Sequence, residues 1–86
     1  MYYVYLIQDR SSQTIYVGYT TDLRQRLAHH QSGDGSRFTA RRRDWRLIYY
    51  EAYADEQDAR DRERRLKQYG QSIRHLKNRL SNSLTP

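Results

Sequence analysis

The chain opens on an unbroken apolar and aromatic run, Tyr2-Tyr3-Val4-Tyr5-Leu6-Ile7, then turns polar from Gln8 to Gln13 and apolar again over Thr14-Ile15-Tyr16-Val17-Gly18. Two short runs of β-branched and aromatic residues around a polar break predict a β-hairpin. Pairing Ile7 with Thr14 puts Tyr5 directly opposite Tyr16, and directly opposed residues share a face of the sheet. Thr20-Thr21-Asp22 offers N-cap side chains ahead of a helix from Leu23 to about Gln31, with Leu23 and Leu27 as its apolar stripe and Gly33 as its stop. Arg26 and His30 are four residues apart and so share one flank of that helix. Gly33 to about Arg43 predicts a loop, and Trp45 to Tyr53 a third strand with Glu51 near its far end.

Asp55 is placed to cap a charged helix running to about Tyr69, with Asp58 in its first turn, Arg64, Arg65 and Lys67 in its last turns, and Gly70 as the expected C′ residue. Ser72 is the expected cap of a final helix carrying Ile73, Leu76 and Leu80. In the charged helix Ala59, Glu63 and Leu66 fall at i, i+4 and i+7, which sets a carboxylate within the face that packs on the sheet. Burying that charge is costly without a partner, and an arginine of the same or a neighbouring helix is the plain structural candidate. The order β-β-α-β-α-α predicts an α+β fold, a three-stranded antiparallel sheet flanked by helices, in one domain over residues 1–80 with a frayed tail at 81–86. It differs from the α-β-β-β-α order of a double-stranded-RNA-binding domain and excludes an all-helical binder.

Leu, Ile, Val and Phe make up only 15 of 86 residues, a fraction that with substantial charge counts against a packed core. The nine tyrosines reverse this, because each buries an aromatic body while keeping its hydroxyl wet or bonded. A chain of this size has room for one small core and a shallow surface site. Cysteine is absent, which removes disulfides, thiolate metal sites and a Cys nucleophile and fits a cytoplasmic location. No apolar run approaches the roughly 18 residues of a membrane span, and no basic leader precedes the first strand.

The net charge is +6, and 14 of the 16 basic residues are arginine. Arg37, Arg41, Arg42, Arg43 and Arg46 fall within ten positions, opposed only by Asp44, and the planar guanidinium fork suits phosphate. Phe38 and Trp45 lie in the same stretch as candidate stacking faces for bases. Nucleic acid is the expected partner, DNA first with RNA not excluded. Tyr5, Tyr16, Arg26, His30 and Glu63 together offer phenols on a sheet, a cation and an imidazole on one helix, and a carboxylate on another. Those types suit phosphodiester hydrolysis. Mg²⁺ or Mn²⁺ keeps most of its waters and takes one or two protein carboxylates, so Glu63 alone suffices as an anchor, while Arg26 is suited to neutralise charge building at phosphorus.

The ordered set Tyr3-Val4-Tyr5, Tyr16-Val17-Gly18, Thr20, Arg26, His30 and Glu63 resembles the GIY-YIG nuclease superfamily over residues 2 to about 80. The run Gly18-Tyr19-Thr20-Thr21-Asp22-Leu23-Arg24-Gln25-Arg26-Leu27, with Arg37-Phe38-Thr39 before Trp45, is most similar to its small stand-alone members and to the nuclease domain of Slx1-type structure-specific endonucleases. The resemblance implies that Glu63 holds the metal, that Arg26 is the transition-state cation, and that Tyr5 and Tyr16 are paired phenols, one of which deprotonates the attacking water. Tyr16 is favoured as that base, and both phenols stay in contention, since either needs a nearby cation or metal-bound water at neutral pH. His30 is expected to orient a tyrosine or touch the phosphate, and Thr20 and Asn78 to support the site. Arg24 and Lys67 join the arginines of the loop and of the third strand as expected nucleic-acid contacts. Tyr3 departs from the family pattern by replacing the glycine of the first motif.

Two functions follow: a divalent-metal-dependent endonuclease acting on single-stranded or structured DNA, and a non-catalytic DNA- or RNA-binding module of the same fold. With no length left for a sequence-reading domain, specificity is expected from DNA shape, single-strandedness or a protein partner.

Overall fold

The computed structural model describes residues 1–33 and 44–84. Its elements follow the expected order: β1 (Tyr2–Asp9), β2 (Ile15–Thr20), α1 (Leu23–Ser32), β3 (Trp45–Tyr53), α2 (Glu56–Gln68) and α3 (Gly70–Arg79). The sheet is antiparallel in the order β2-β1-β3, so β1 is central and β3 lies at an edge. A central strand covered on both faces needs no polar alternation, which explains the continuous run at the N-terminus: Val4 to Asp9 are all buried.

The two faces carry separate cores. Val4, Leu6 and Val17 pack with Ala59 and Leu66 of α2 and with Leu76 and Leu80, under the two C-terminal helices. Tyr5, Ile7 and Trp45 form the opposite layer, with Tyr16, Leu47 and the Leu23 and Leu27 stripe of α1 against them. Truncating a side chain as buried as Leu66 to alanine costs about 2–5 kcal/mol.

The hairpin register differs from the expected one by two residues. Tyr16 pairs with Ile7, and Tyr5 pairs with Gly18. The strands run further than the apolar pattern indicates, because Asp9 closes the turn: its carboxylate accepts from the Ser12 N–H and hydroxyl, and Gln13 takes a positive φ of 65°. A slip of two keeps side chains on their face, so Tyr5 and Tyr16 still share one, as diagonal rather than direct neighbours.

On the other side β1 meets β3 with a bulge between Leu6 and Ile7, which pair with Tyr49 and Leu47 and leave Ile48 unopposed. The extra residue reverses the alternation along β3. Trp45, Leu47 and Tyr50 therefore stand opposite Asp9, Ile7 and Tyr5 on the α1 face, while Tyr49, Glu51 and Tyr53 face the C-terminal helices.

Asp22 caps α1 by accepting from the Gln25 N–H, and Gly33 ends it at φ 89°. Asp55 caps α2 through the N–H groups of Gln57 and Asp58. Gly70 is not a C′ residue and Ser72 is not a cap. Tyr69, in extended conformation at φ −111°, ends α2 and begins α3, with Gly70 as the first helical residue. Beyond α3 the chain makes contacts as far as Leu84. The Ser83 carbonyl accepts from Arg46, and Leu84 packs on the core. Among the described residues no helix is long and apolar enough to cross a membrane.

Candidate active site

Tyr5 stands at the middle of the central strand, and the site is built around its hydroxyl. Its cross-strand partner is Gly18, and the ring lies so close that a Cβ there would come 2.2 Å from the Tyr5 hydroxyl oxygen. The glycine of Tyr16-Val17-Gly18 is thus required by space for the phenol. From above, α1 lowers two side chains onto this group. His30 Nε2 lies 2.7 Å from the Tyr5 oxygen, and Arg26 Nε donates to it at 3.4 Å. With Arg26 as donor, a phenol that gives its own proton to His30 uses both its donor and an acceptor position, and this arrangement goes with an imidazole protonated on Nδ1.

Burial pushes the Tyr5 pKa up to about 12, against the pull of the Arg26 bond and charge, and the nearby charges of Tyr16 and Glu63 add to the rise. Burial likewise lowers His30 to about 4, helped by the charges of Arg26 and His29. Both members of the bond are therefore neutral at pH 7. The imidazole also touches Tyr16, their ring centroids 5.3 Å apart, against 5.7 Å to Tyr5, so His30 wedges between the two phenols.

Tyr16 is bounded by Trp45, 6.5 Å between centroids, and by the Lys67 ammonium, 5.5 Å from its ring centre. Lys67 also pairs with Glu63 at 3.0 Å. The carboxylate's partner is thus a lysine one turn along α2 rather than an arginine, and the i, i+4 spacing of Glu63 and Lys67 is the sequence signal that could have found it. Glu63 is largely covered, its side chain 22% exposed, and its second oxygen accepts no hydrogen bond from the described residues.

The cluster accordingly joins β1, β2, α1 and α2 through Tyr5, Tyr16, Arg26, His30, Glu63 and Lys67. Thr20 supports it indirectly: its hydroxyl accepts from the Asp22 N–H and donates to the Asp22 carbonyl, setting the start of α1. Asn78 is exposed on α3 and makes no hydrogen bond to the cluster among the described residues. Arg24 is exposed on α1. Arg46 is turned inward, its Nη2 bonding the Gln8 side chain at 3.3 Å and the Ser83 carbonyl at 2.5 Å. Trp45, offered above as a stacking face for bases, is 1% exposed and closes the core beside Tyr5 and Tyr16, so no base can reach it. Phe38, Arg37, Arg41, Arg42 and Arg43 lie outside the described residues.

The structure thus sets Arg26 on the Tyr5 hydroxyl and the Glu63–Lys67 pair beside Tyr16, over a three-stranded sheet. Residues 1–81 match the family described as the GIY-YIG catalytic domain, and the chain belongs to that family. Among curated proteins it is similar to the UPF0213 protein in the ldhD 5′ region of Pediococcus acidilactici, 39% identical over 79% of this chain and 74% of that one. UPF0213 proteins of Streptococcus pneumoniae and Halobacterium salinarum are 42% and 41% identical, over 76% and 79% of this chain. The match covers 65% of the former's length and 87% of the latter's. No solved structure gives a significant match.

Proposed function

We propose that the protein is a divalent-metal-dependent endonuclease that hydrolyses DNA phosphodiester bonds and selects single-stranded or structured DNA. The observation that carries this reading is that a cation and a carboxylate from two different helices attend the two phenols: Arg26 donates to the Tyr5 hydroxyl, and Glu63 is paired with the Lys67 ammonium that lies over the Tyr16 ring. A binding module has no physical need of a carboxylate beside its phosphate site.

The donor set fits a hard ion that keeps its waters. Glu63 offers one uncommitted carboxylate oxygen, and among the described residues no group of three His, Cys, Asp or Glu gathers into a cage. Glu63 is therefore the residue to hold Mg²⁺ or Mn²⁺, which when bound supplies positive charge at the phosphate and a more acidic water.

The chain's own groups divide the rest of the work. Tyr5 keeps its proton at neutral pH and spends it on His30, which leaves Tyr16, beside the Lys67 ammonium, as the base: its hydroxyl first gives its proton to solvent, and the phenolate oxygen then takes one from the attacking water. Arg26 is tied to Tyr5 only through Nε, and its two Nη groups remain for the phosphate oxygens as charge grows there. The water oxygen bonds to phosphorus, the bond to the leaving oxygen breaks, and that oxygen takes a proton from solvent.

The test is an incubation of wild-type and Glu63→Ala protein with end-labelled single-stranded, duplex and branched DNA, in Mg²⁺, Mn²⁺ or EDTA. Cleavage by the wild type, lost in EDTA and in the variant, is the expected result. Retardation of DNA by both proteins with cleavage by neither overturns the enzyme in favour of a binding module.

A further inference from the structure

A second feature of the α1 face lies next to the phenol cluster. An open groove of about 470 Å³ runs between Tyr3 of β1, Leu47 and Tyr50 of β3, and Asp22, Arg24 and Leu27 of α1. That volume falls in the range of clefts that hold small ligands, about 300–1,000 Å³. The β3 bulge creates it by bringing Leu47 and Tyr50, an odd number of residues apart, onto one face. Its wall is a pair of tyrosines packed edge to face, with centroids 6.0 Å apart and planes at 66°. Tyr50 is 52% exposed. The hydroxyls of Tyr5, Tyr19, Tyr49 and Tyr53 are all engaged by a neighbouring side chain, whereas those of Tyr3 and Tyr50 make no hydrogen bond among the described residues.

We propose that this groove is a subsite for one unpaired nucleobase of the DNA strand, next to the phosphate held at Tyr5 and Arg26. The proposal rests on the nuclease reading for the position of that phosphate. Tyr50 stands directly across from Tyr5, about 4.8 Å away by strand spacing, and Tyr3 is two residues along β1, about 7 Å. A ligand in the groove is thus within a nucleotide's reach of the centre. The groove presents what a base attached to that phosphate needs: a half-open aromatic ring to stack on, an apolar floor in Leu27 and Leu47, free hydroxyls for polar base edges, and Arg24 at the rim for the next phosphate. The Asp22 carboxylate, also at the rim, already accepts from the Gln25 N–H. A base stacked within a duplex has both faces covered and must be extruded at a cost of about a few kcal/mol, so the subsite favours strands whose bases are already unpaired.

The test uses full-length Glu63→Gln protein, so that binding is read without cutting, and a set of single-stranded DNA oligonucleotides with one abasic position walked along the strand. Removing one particular base is expected to weaken binding roughly five- to hundredfold, the range for loss of one base–aromatic stack. With Tyr50→Ala added, affinity for intact DNA falls by a similar factor and the abasic penalty at that position disappears, whereas Tyr50→Phe retains both. A position-specific penalty that persists in Tyr50→Ala, or unchanged affinity of Tyr50→Ala for intact single strands, overturns the subsite. Because no arm requires turnover, the result stands apart from whether the wild type cleaves DNA.

Discussion

The Tyr5 ring lies across the backbone of Gly18, its directly paired partner on β2, and the two residues are a matched fit: the hydroxyl occupies the place where any other residue would carry its Cβ. The constraint is purely one of space, because the contact is with the far end of a side chain that is itself held by His30 and Arg26. Gly18→Ala must therefore displace the phenol and break its bond to His30. Overpacking of this kind costs about 1–3 kcal/mol, and cleavage should fall much further than stability. Urea denaturation alongside a cleavage assay checks it, and wild-type turnover in Gly18→Ala would show that the position of Tyr5 does not matter to the chemistry.

The two phenols should separate on substitution. Tyr5→Phe removes the donor that satisfies buried His30 Nε2, a loss of about 1–3 kcal/mol in folding stability. Tyr16→Phe is half-buried at the margin of the core and should leave the fold intact while slowing cleavage. Arg26→Ala should abolish cleavage with little change in stability. The comparison needs melting temperatures and single-turnover rates for all three variants. Undiminished rates in Tyr16→Phe would move the base away from Tyr16.

Most of the fold is legible in the sequence because its signals are local. Asp22, Gly33 and Asp55 mark helix ends through short-range cap geometry, and the apolar runs mark strands. The shared face of Tyr5 and Tyr16 survives a register error of two because side-chain direction depends only on parity. The turn itself was harder to read, since Asp9 and Gln13 close it without the Gly or Asn that usually marks a positive φ. The bulge at Ile48 leaves no trace in a strand whose residues are bulky on both sides. Trp45 reads equally well as an exposed stacking face or a core anchor, and only the pairing of β1 with β3 decides between them.

Stability should depend on pH through two groups whose windows overlap near pH 4. His30 has its pKa lowered by burial, then by Arg26 and His29, to about 4, so the unfolded chain takes up a proton near pH 6.5 that the folded chain refuses. Its contribution is complete above about pH 6.5 and is lost progressively as the pH falls towards 4, on the order of 1–3 kcal/mol. Glu51 acts lower. Burial opposes its ionisation, but the Arg62 fork and the Tyr49 and Tyr53 hydroxyls outweigh that and hold its carboxyl below the usual range. Its contribution is present above the ordinary carboxylate pKa and is lost as the pH falls through the depressed value. Denaturation at pH 7.5, 5 and 3.5 should show His30→Gln removing the loss between the first two and part of that between the last two, and Glu51→Gln reducing only the latter. A slope between pH 7.5 and 5 that survives in His30→Gln would place the titrating group elsewhere.

With Glu63 as the proposed metal anchor, Lys67, its partner in the ion pair, would compete with the cation, and removing the lysine would give that proposal a signature independent of the fold. The pair spans 3.0 Å between i and i+4 positions of α2, with the lysine side chain 44% exposed. Such pairs contribute about 0.3–0.5 kcal/mol, so a divalent ion displaces the ammonium at small cost. Lys67→Gln should therefore lower the Mg²⁺ concentration for half-maximal cleavage by about twofold. The same change removes one positive charge beside Tyr16, so the maximal rate should fall and the salt dependence of DNA binding should flatten by about one phosphate contact. Titrating Mg²⁺ against initial rate at fixed ionic strength separates the two effects. A Mg²⁺ requirement that rises or stays fixed in Lys67→Gln would mean that Glu63 is not the carboxylate for which the ion and the lysine compete.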